Sequence, residues 1–249
     1  MKPFVLVVIL LILSSGAFLF FRNQPSGAPS ATPNTQEQTN NMQYVFEDPQ
    51  KSPHHESNTP AHGSVLAGVP INIVIDFNFD LLKSSSIKIE MGSKDFGIGE
   101  TVIDANKLSM RRKMDSNSPD GLYEVEYSAC WPDGSCHQGF FQFAIDRSLR
   151  EGFLDQTDKK EVEIKMSQLM FDPQNIRVSK GTEVTWINDD NVEHYVNTDS
   201  HPAHTYYEDQ NSKALKKGES YSVTLDNPGI YPYHCSAHAG SMTGSILVE

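Results

Sequence analysis

A two-residue alternation of apolar and polar side chains, recurring in two separate regions, is the feature that most restricts what this 249-residue chain can fold into. In INIVIDFNF, the side chains of Ile71, Ile73, Ile75, Phe77 and Phe79 share one face of an extended strand, and Ile87, Ile89 and Met91 repeat the pattern. Tyr123, Val125 and Tyr127 continue it, followed by Phe141, Phe143 and Ile145. The charged stretch DRSLREGFLDQTDKK interrupts the pattern. It resumes with Val162, Ile164 and Met166, then Val184 with Trp186, then Tyr221, Val223 and Leu225. Turn signals separate these runs: SKGT at 179–182, LKKGE at 215–219 and DNPG at 226–229. No apolar run at helical period reaches helix length. The pattern predicts an all-β chain of two β-sandwich domains, 54–146 and 160–249, joined by an interdomain linker at 147–159.

The first 22 residues are of another kind. From Phe4 to Phe21 there is no charged side chain, a run that nearly spans a bilayer core at helical rise. Residues 1–22 are therefore read as a transmembrane helix that anchors the chain to the membrane, or as a signal segment cleaved near Ser15 and Ala17. Either reading places the rest outside the cytoplasm, in the periplasm or at the cell surface. Residues 23–53 are polar and rich in Pro, Ser and Gln, a composition that predicts a disordered, flexible linker. Thirty-two acidic residues against twenty basic ones give a formal net charge of −12, which argues against nucleic acid as a partner.

The chemistry concentrates near the C-terminus, in YHCSAHAGSMTG. Cys235, His238 and Met242 offer thiolate, imidazole and thioether within eight residues, a donor set suited to a soft, redox-active metal. His194, which follows the strand EVTWINDD, supplies the missing donor. Two imidazoles and a thiolate in a trigonal set, with a weak axial Met, form the pattern of a blue-copper electron-transfer site. Structural zinc favours four strong ligands and fits this set less well.

The runs GTEVTWINDDNVEH, LKKGESYSVTL and NPGIYPYHCSAHAGSMTGSILV resemble the cupredoxins, the type 1 copper proteins related to plastocyanin and amicyanin. The resemblance covers about 160–249, and His194, Cys235, His238 and Met242 fall on that family's ligand positions in chain order. It implies a Greek-key β-barrel that binds copper and passes single electrons to a redox partner protein. His234, beside Cys235, raises a nitrite-reductase reading with a second copper at a subunit interface. Strand alternation turns His234 away from the ligand side of Cys235, however, and the sequence lacks both the His-x-His pairs of multicopper oxidases and the second loop cysteine of a dinuclear centre. The chain is thus expected not to be an enzyme. His201 and His204, with Asp199, Glu208 and Asp209 nearby, are candidates for a second, weaker copper, for a surface that docks a copper donor, or for plain solvated loop residues.

In the first domain, Cys130 and Cys136 flank a Pro-Asp-Gly turn at a spacing compatible with a disulfide; a thiolate metal site with His137 is the alternative. Together with HHESNTPAHGSVLAGVPINIVIDF, the stretch SACWPDGSCHQGFFQF resembles the CopC-type copper-resistance domains, which are Ig-like sandwiches. That resemblance implies a Cu(II) site near His54, His55, Asp133 and His137. Ser135 stands where the turn histidine belongs and His137 is displaced by two residues, so a structural or docking role is expected here. The two resemblances leave two functions to separate: an electron carrier, or a copper carrier or buffer that exchanges metal with a donor or acceptor in copper homeostasis and resistance.

Overall fold

The computed structural model describes residues 44–249. The expected membrane segment at 1–22 and most of the expected linker lie outside these residues. Among the described residues no helix is long and apolar enough to cross a membrane.

Nine strands precede residue 147: β1 (His55–Thr59), β2 (Val65–Leu66), β3 (Asn72–Phe77), β4 (Ser86–Met91), β5 (Lys94–Asp95), β6 (Gly97–Ile103), β7 (Ser109–Met114), β8 (Gly121–Cys130) and β9 (Cys136–Ile145). They form a sheet of order β2-β9-β8-β4-β5 facing one of order β1-β3-β7-β6. Nine more follow: β10 (Leu154–Asp155), β11 (Glu161–Ser167), β12 (Met170–Asp172), β13 (Asn175–Val178), β14 (Thr182–Asn188), β15 (Asn197–Thr198), β16 (Ser220–Leu225), β17 (Gly229–His234) and β18 (Thr243–Val248). Their sheets have the orders β10-β13-β18-β17-β15 and β12-β11-β14-β16. The only helical segments among the described residues are two 3₁₀ turns, Arg147–Gly152 and Ser236–His238.

The alternating residues supply the interiors. Ile73, Ile75, Ile89, Tyr123, Val125, Phe141, Phe143 and Ile145 fill the first sandwich. Val162, Ile164, Met166, Val184, Trp186, Val223 and Leu225 fill the second, joined by Tyr231 and Tyr233. Phe79 departs from the expected face: it lies beyond the end of β3, 45% exposed, stacked on the His54 ring. Strand β3 also departs from strict alternation, since Asn72, Val74 and Asp76 on its other face are buried too. That face is covered by residues 200–206 of the second sandwich. Asn72 Nδ2 donates to Tyr206 O at 2.8 Å, and Asp76 accepts from the hydroxyls of Ser200 and Thr205.

One further expectation is corrected by the packing. The flexible linker does not extend to residue 53, because residues 44–52 already lie against the first sandwich. Tyr44 OH donates to Ile145 O at 3.1 Å, Gln50 and Phe140 exchange backbone hydrogen bonds, and Ser52 N donates to Tyr127 OH at 3.0 Å. Tyr44 and Phe46, aromatic residues inside a polar stretch, explain why composition misplaced that limit. The segment 147–159 is an ordered connection: Asp146 caps the first 3₁₀ turn, and β10 adds to β13 as a parallel edge strand. The two sandwiches also touch directly, with Ala67, Ile230 and Leu247 in a shared apolar cluster and Ile230 N donating to Val69 O at 2.9 Å. Gly229 is required at this contact. Its φ is +145°, and a Cβ would lie 2.8 Å from Val69 O and 2.6 Å from Ile71 Cγ2.

Cys130 and Cys136 are opposite one another at the turn end of the β8–β9 hairpin and form a disulfide, so no thiolate is left there for a metal site with His137. The bridge closes a short loop, for which chain entropy gives a contribution of about 2 kcal/mol. A Cys130→Ala/Cys136→Ala variant should lose about that much unfolding free energy in urea titration. Unchanged stability would mean that the Asp133 turn alone sets the hairpin.

Candidate metal centre

Strands β17 and β18 run antiparallel, and residues 235–242 connect them at the end of the second sandwich. This loop is closed by its own backbone: Cys235 N donates to Met242 O at 2.9 Å, His238 N to Cys235 O at 2.8 Å and Met242 N to His238 O at 2.9 Å. Cys235, His238 and Met242 are thereby held on one short turn. His194 arrives from a separate loop that pairs with Leu215, through N–H bonds of 3.1 and 2.8 Å in the two directions. Asn188, fully buried at the end of β14, ties that loop down by donating to Val192 O at 2.8 Å and Leu215 O at 2.7 Å.

The result is a compact donor set. Cys235 Sγ lies 3.6 Å from His194 Nδ1 and 3.6 Å from His238 Nδ1. His194 and Cys235 are fully buried, Met242 is nearly so, and His238 is half-buried. Tyr195 N donates to Sγ at 3.4 Å. The outer nitrogen of His194, Nε2, contacts Asp190 Oδ2 at 2.9 Å, which points Nδ1 at the sulfur. The Leu169 N–H, together with His194 and Gln168, holds the Asp190 carboxyl below the usual carboxylate range. Three converging N and S donors, one of them a buried thiol that accepts a backbone N–H, suit a soft metal ion and fit copper.

A second group of three histidines lies behind β17: His201, His204 and His234, whose donor atoms all fall within 4.8 Å of one another. His204 Nε2 is 3.2 Å from His234 Nε2, and His234 Nδ1 is 2.9 Å from Asp199 Oδ1. Burial, reinforced by the neighbouring His234 and His201, pushes His204 down to about 4. His234 thus faces the 199–204 loop rather than the Cys235 donor set, and no local pattern signals that this loop folds back onto that face of β17. His234 is 2% exposed and bonded within its own chain, so it has no free edge to offer a subunit interface.

The first-domain candidates do not gather in this way. Among the described residues, the two groups above are the ones in which three His, Cys, Asp or Glu donors converge. His54 bonds to Asn78 and packs on Phe79 and Trp131, and His55 contacts Asn58 and the rings of Phe77 and Tyr127. Asp133 accepts from Ser135 within its turn, and His137 lies across Trp131 from His54.

Sequence comparison agrees with both halves of this architecture. Residues 158–249 match the model of the copper binding proteins of the plastocyanin/azurin family, and residues 55–146 match the CopC domain. Amicyanin-alpha of Methylorubrum extorquens is 29% identical over 110 residues, covering 43% of this chain and 90% of the relative. The plastocyanin of Scenedesmus fuscus is 33% identical over 89 residues, covering 32% of this chain and 88% of the relative. Among solved structures, a purple cupredoxin from Nitrosopumilus maritimus aligns at 25% identity with a TM-score of 0.30, covering 35% of this chain and 99% of that one. With a plastocyanin matched over most of its length and a separate CopC match ahead of it, the chain belongs to the copper-binding plastocyanin/azurin family and carries a CopC domain before that family's domain.

Proposed function

We propose that this protein is an extracytoplasmic single-electron carrier built on one type 1 copper, with His194, Cys235 and His238 as the strong ligands and Met242 as the weak axial donor. The observation that carries this reading is the placement of Cys235 Sγ at 3.6 Å from both imidazole Nδ1 atoms, inside a loop fixed by backbone hydrogen bonds. When bound, copper supplies one-electron chemistry between Cu(I) and Cu(II). The protein's part is to hold the donors still: Asn188 and Asp190 fix His194, and the turn from Cys235 to Met242 fixes the other three. Burial of His194, Cys235 and Met242 keeps water from these donors. His238, only half-buried, gives the set an edge to the surface. Exposed Leu169, Met170 and Val192 lie on or beside the loops held by Asp190 and Asn188, and they suit contact with a redox partner protein. The apolar run from Phe4 to Phe21 would tether the carrier to the membrane or direct its export.

The CopC match favours a second reading, in which the metal is itself the cargo and is passed between a donor and an acceptor. One experiment separates the two. Cu(II) is added to the metal-free full chain in detergent, the sample is reduced with ascorbate, and a Cu(I) chelator is then introduced. An electron carrier develops an intense thiolate-to-copper charge-transfer band, loses it on reduction, keeps its copper and regains the band on reoxidation. Transfer of Cu(I) to the chelator during the first reduction would overturn the carrier-of-electrons reading in favour of the carrier of copper.

A further inference from the structure

We propose that His201, His204 and His234 form a second metal site, for Cu(II), set directly behind the first through the peptide bond between His234 and Cys235. Three observations support it. The Nε2 atoms of His204 and His234 are 3.2 Å apart, between the roughly 2.9 Å separation of adjacent ligands in a square and the roughly 3.4 Å edge of a tetrahedron, for metal–nitrogen bonds of about 2.0–2.1 Å. The third imidazole, His201, lies 5.4 Å from each of the other two between ring centres, so a ring rotation brings its nitrogen to the same point. Finally, Asp199 Oδ1 engages His234 Nδ1 at 2.9 Å. A carboxylate acceptor fixes the proton on Nδ1 and leaves the Nε2 lone pair pointing at His204, the arrangement by which an outer carboxylate orients a metal-binding histidine.

The loop that carries two of these histidines is held independently of any metal. Ser200 and Thr205 donate to Asp76, Arg111 Nη1 donates to Thr205 O at 3.1 Å, and Asn211 Nδ2 donates to His204 O at 3.0 Å. Ser236 Oγ, beside Cys235, donates to Asn197 Oδ1 at 2.9 Å and accepts from His204 Nε2 at 3.1 Å. In the metal-free protein one imidazole proton is thus shared among Ser236, His204 and His234, and a shift of that proton to Nδ1 of His204 frees two lone pairs toward one point. His201 is exposed, so the site opens to solvent, and water can complete the coordination. Three imidazoles with an open position accept Cu(II) or Zn(II), and at equal geometry the Irving–Williams order selects Cu(II).

The site does not depend on the Cys235 centre, and the test keeps the two apart. Cu(II) alone is added to the metal-free full chain and to His201→Ala/His204→Ala, and bound copper is counted by equilibrium dialysis while EPR reports its ligation. The parent chain is expected to bind two equivalents, the second with the wide copper hyperfine splitting and nitrogen coupling of a tetragonal site. The double variant should bind one and keep the full charge-transfer band, which also shows that it is folded. Asp199→Asn should weaken the second equivalent by about 10–100-fold and leave the first unchanged. In Cys235→Ser, adding His201→Ala/His204→Ala should remove one equivalent of bound Cu(II) with its nitrogen coupling, so failure of the Cys235 reading does not hide the result. A copper content that His201→Ala/His204→Ala leaves unchanged, in the parent chain and in Cys235→Ser alike, overturns the proposal.

Discussion

Cys235→Ser is expected to abolish the visible charge-transfer absorption of the copper-loaded protein completely. The substitution is nearly isosteric, and the hydroxyl it introduces keeps an acceptor for the Tyr195 N–H, so the loop closed by the Cys235–Met242 and His238–Cys235 backbone bonds remains. The lost element is the thiolate, which is both the source of the transition and the soft donor that stabilises Cu(I). With two imidazoles and a hydroxyl, the site favours Cu(II), and copper is expected to escape to a Cu(I) chelator on reduction. Absorption spectra of the loaded parent and variant, recorded at equal copper content, provide the check. An undiminished band in the variant would refute the assignment of Cys235 as a ligand.

Tyr206→Phe should produce the largest loss of stability available from removal of a single oxygen atom. The Tyr206 hydroxyl is buried between the two sandwiches, where it donates to Ile230 O at 2.6 Å and accepts from Ile71 N at 2.9 Å. Burial holds the hydroxyl well above the ordinary phenol range, so it keeps its proton and remains a donor at any physiological pH. Its removal leaves one buried carbonyl and one N–H without a partner, each costing about 1–3 kcal/mol, for an expected loss of about 2–6 kcal/mol. Urea unfolding followed by tryptophan fluorescence reads both halves, since Trp131 is in the first sandwich and Trp186 in the second. A change below about 0.5 kcal/mol would show that water replaces the hydroxyl and that this junction is not dry.

Much of this architecture was legible in the chain. Alternation marked the strands because each sandwich buries one face of its sheets, and it failed at β3, where Asn72, Val74 and Asp76 are buried by residues more than 120 positions away. No local pattern encodes that contact. The convergence of His194, Cys235 and His238 was legible because Cys235 and His238 share one turn with Met242, and their chemistry narrows the metal. The His201, His204 and His234 group was only partly so: two members were noticed as loop histidines and the third as a neighbour of Cys235, but nothing in the sequence joined that strand residue to the loop. What joins them is the fold of the 199–204 loop, set by Asp76 and Arg111 of the other sandwich.

The Asp76 carboxylate accepts hydroxyl bonds from Ser57 and Ser109 of its own sandwich and from Ser200 and Thr205 of the next, although its strand lies in the half that does not hold the Cys235 loop. The two halves are therefore not portable modules. Grafting another N-terminal sandwich in front of residues 160–249 would preserve the Cys235 turn, which is closed by its own backbone, but would strip Ser200 and Thr205 of their acceptor and release the histidine loop. A recombinant that carries Asp76 without Ser200, or Ser200 without Asp76, would lose a buried bond that seats this loop.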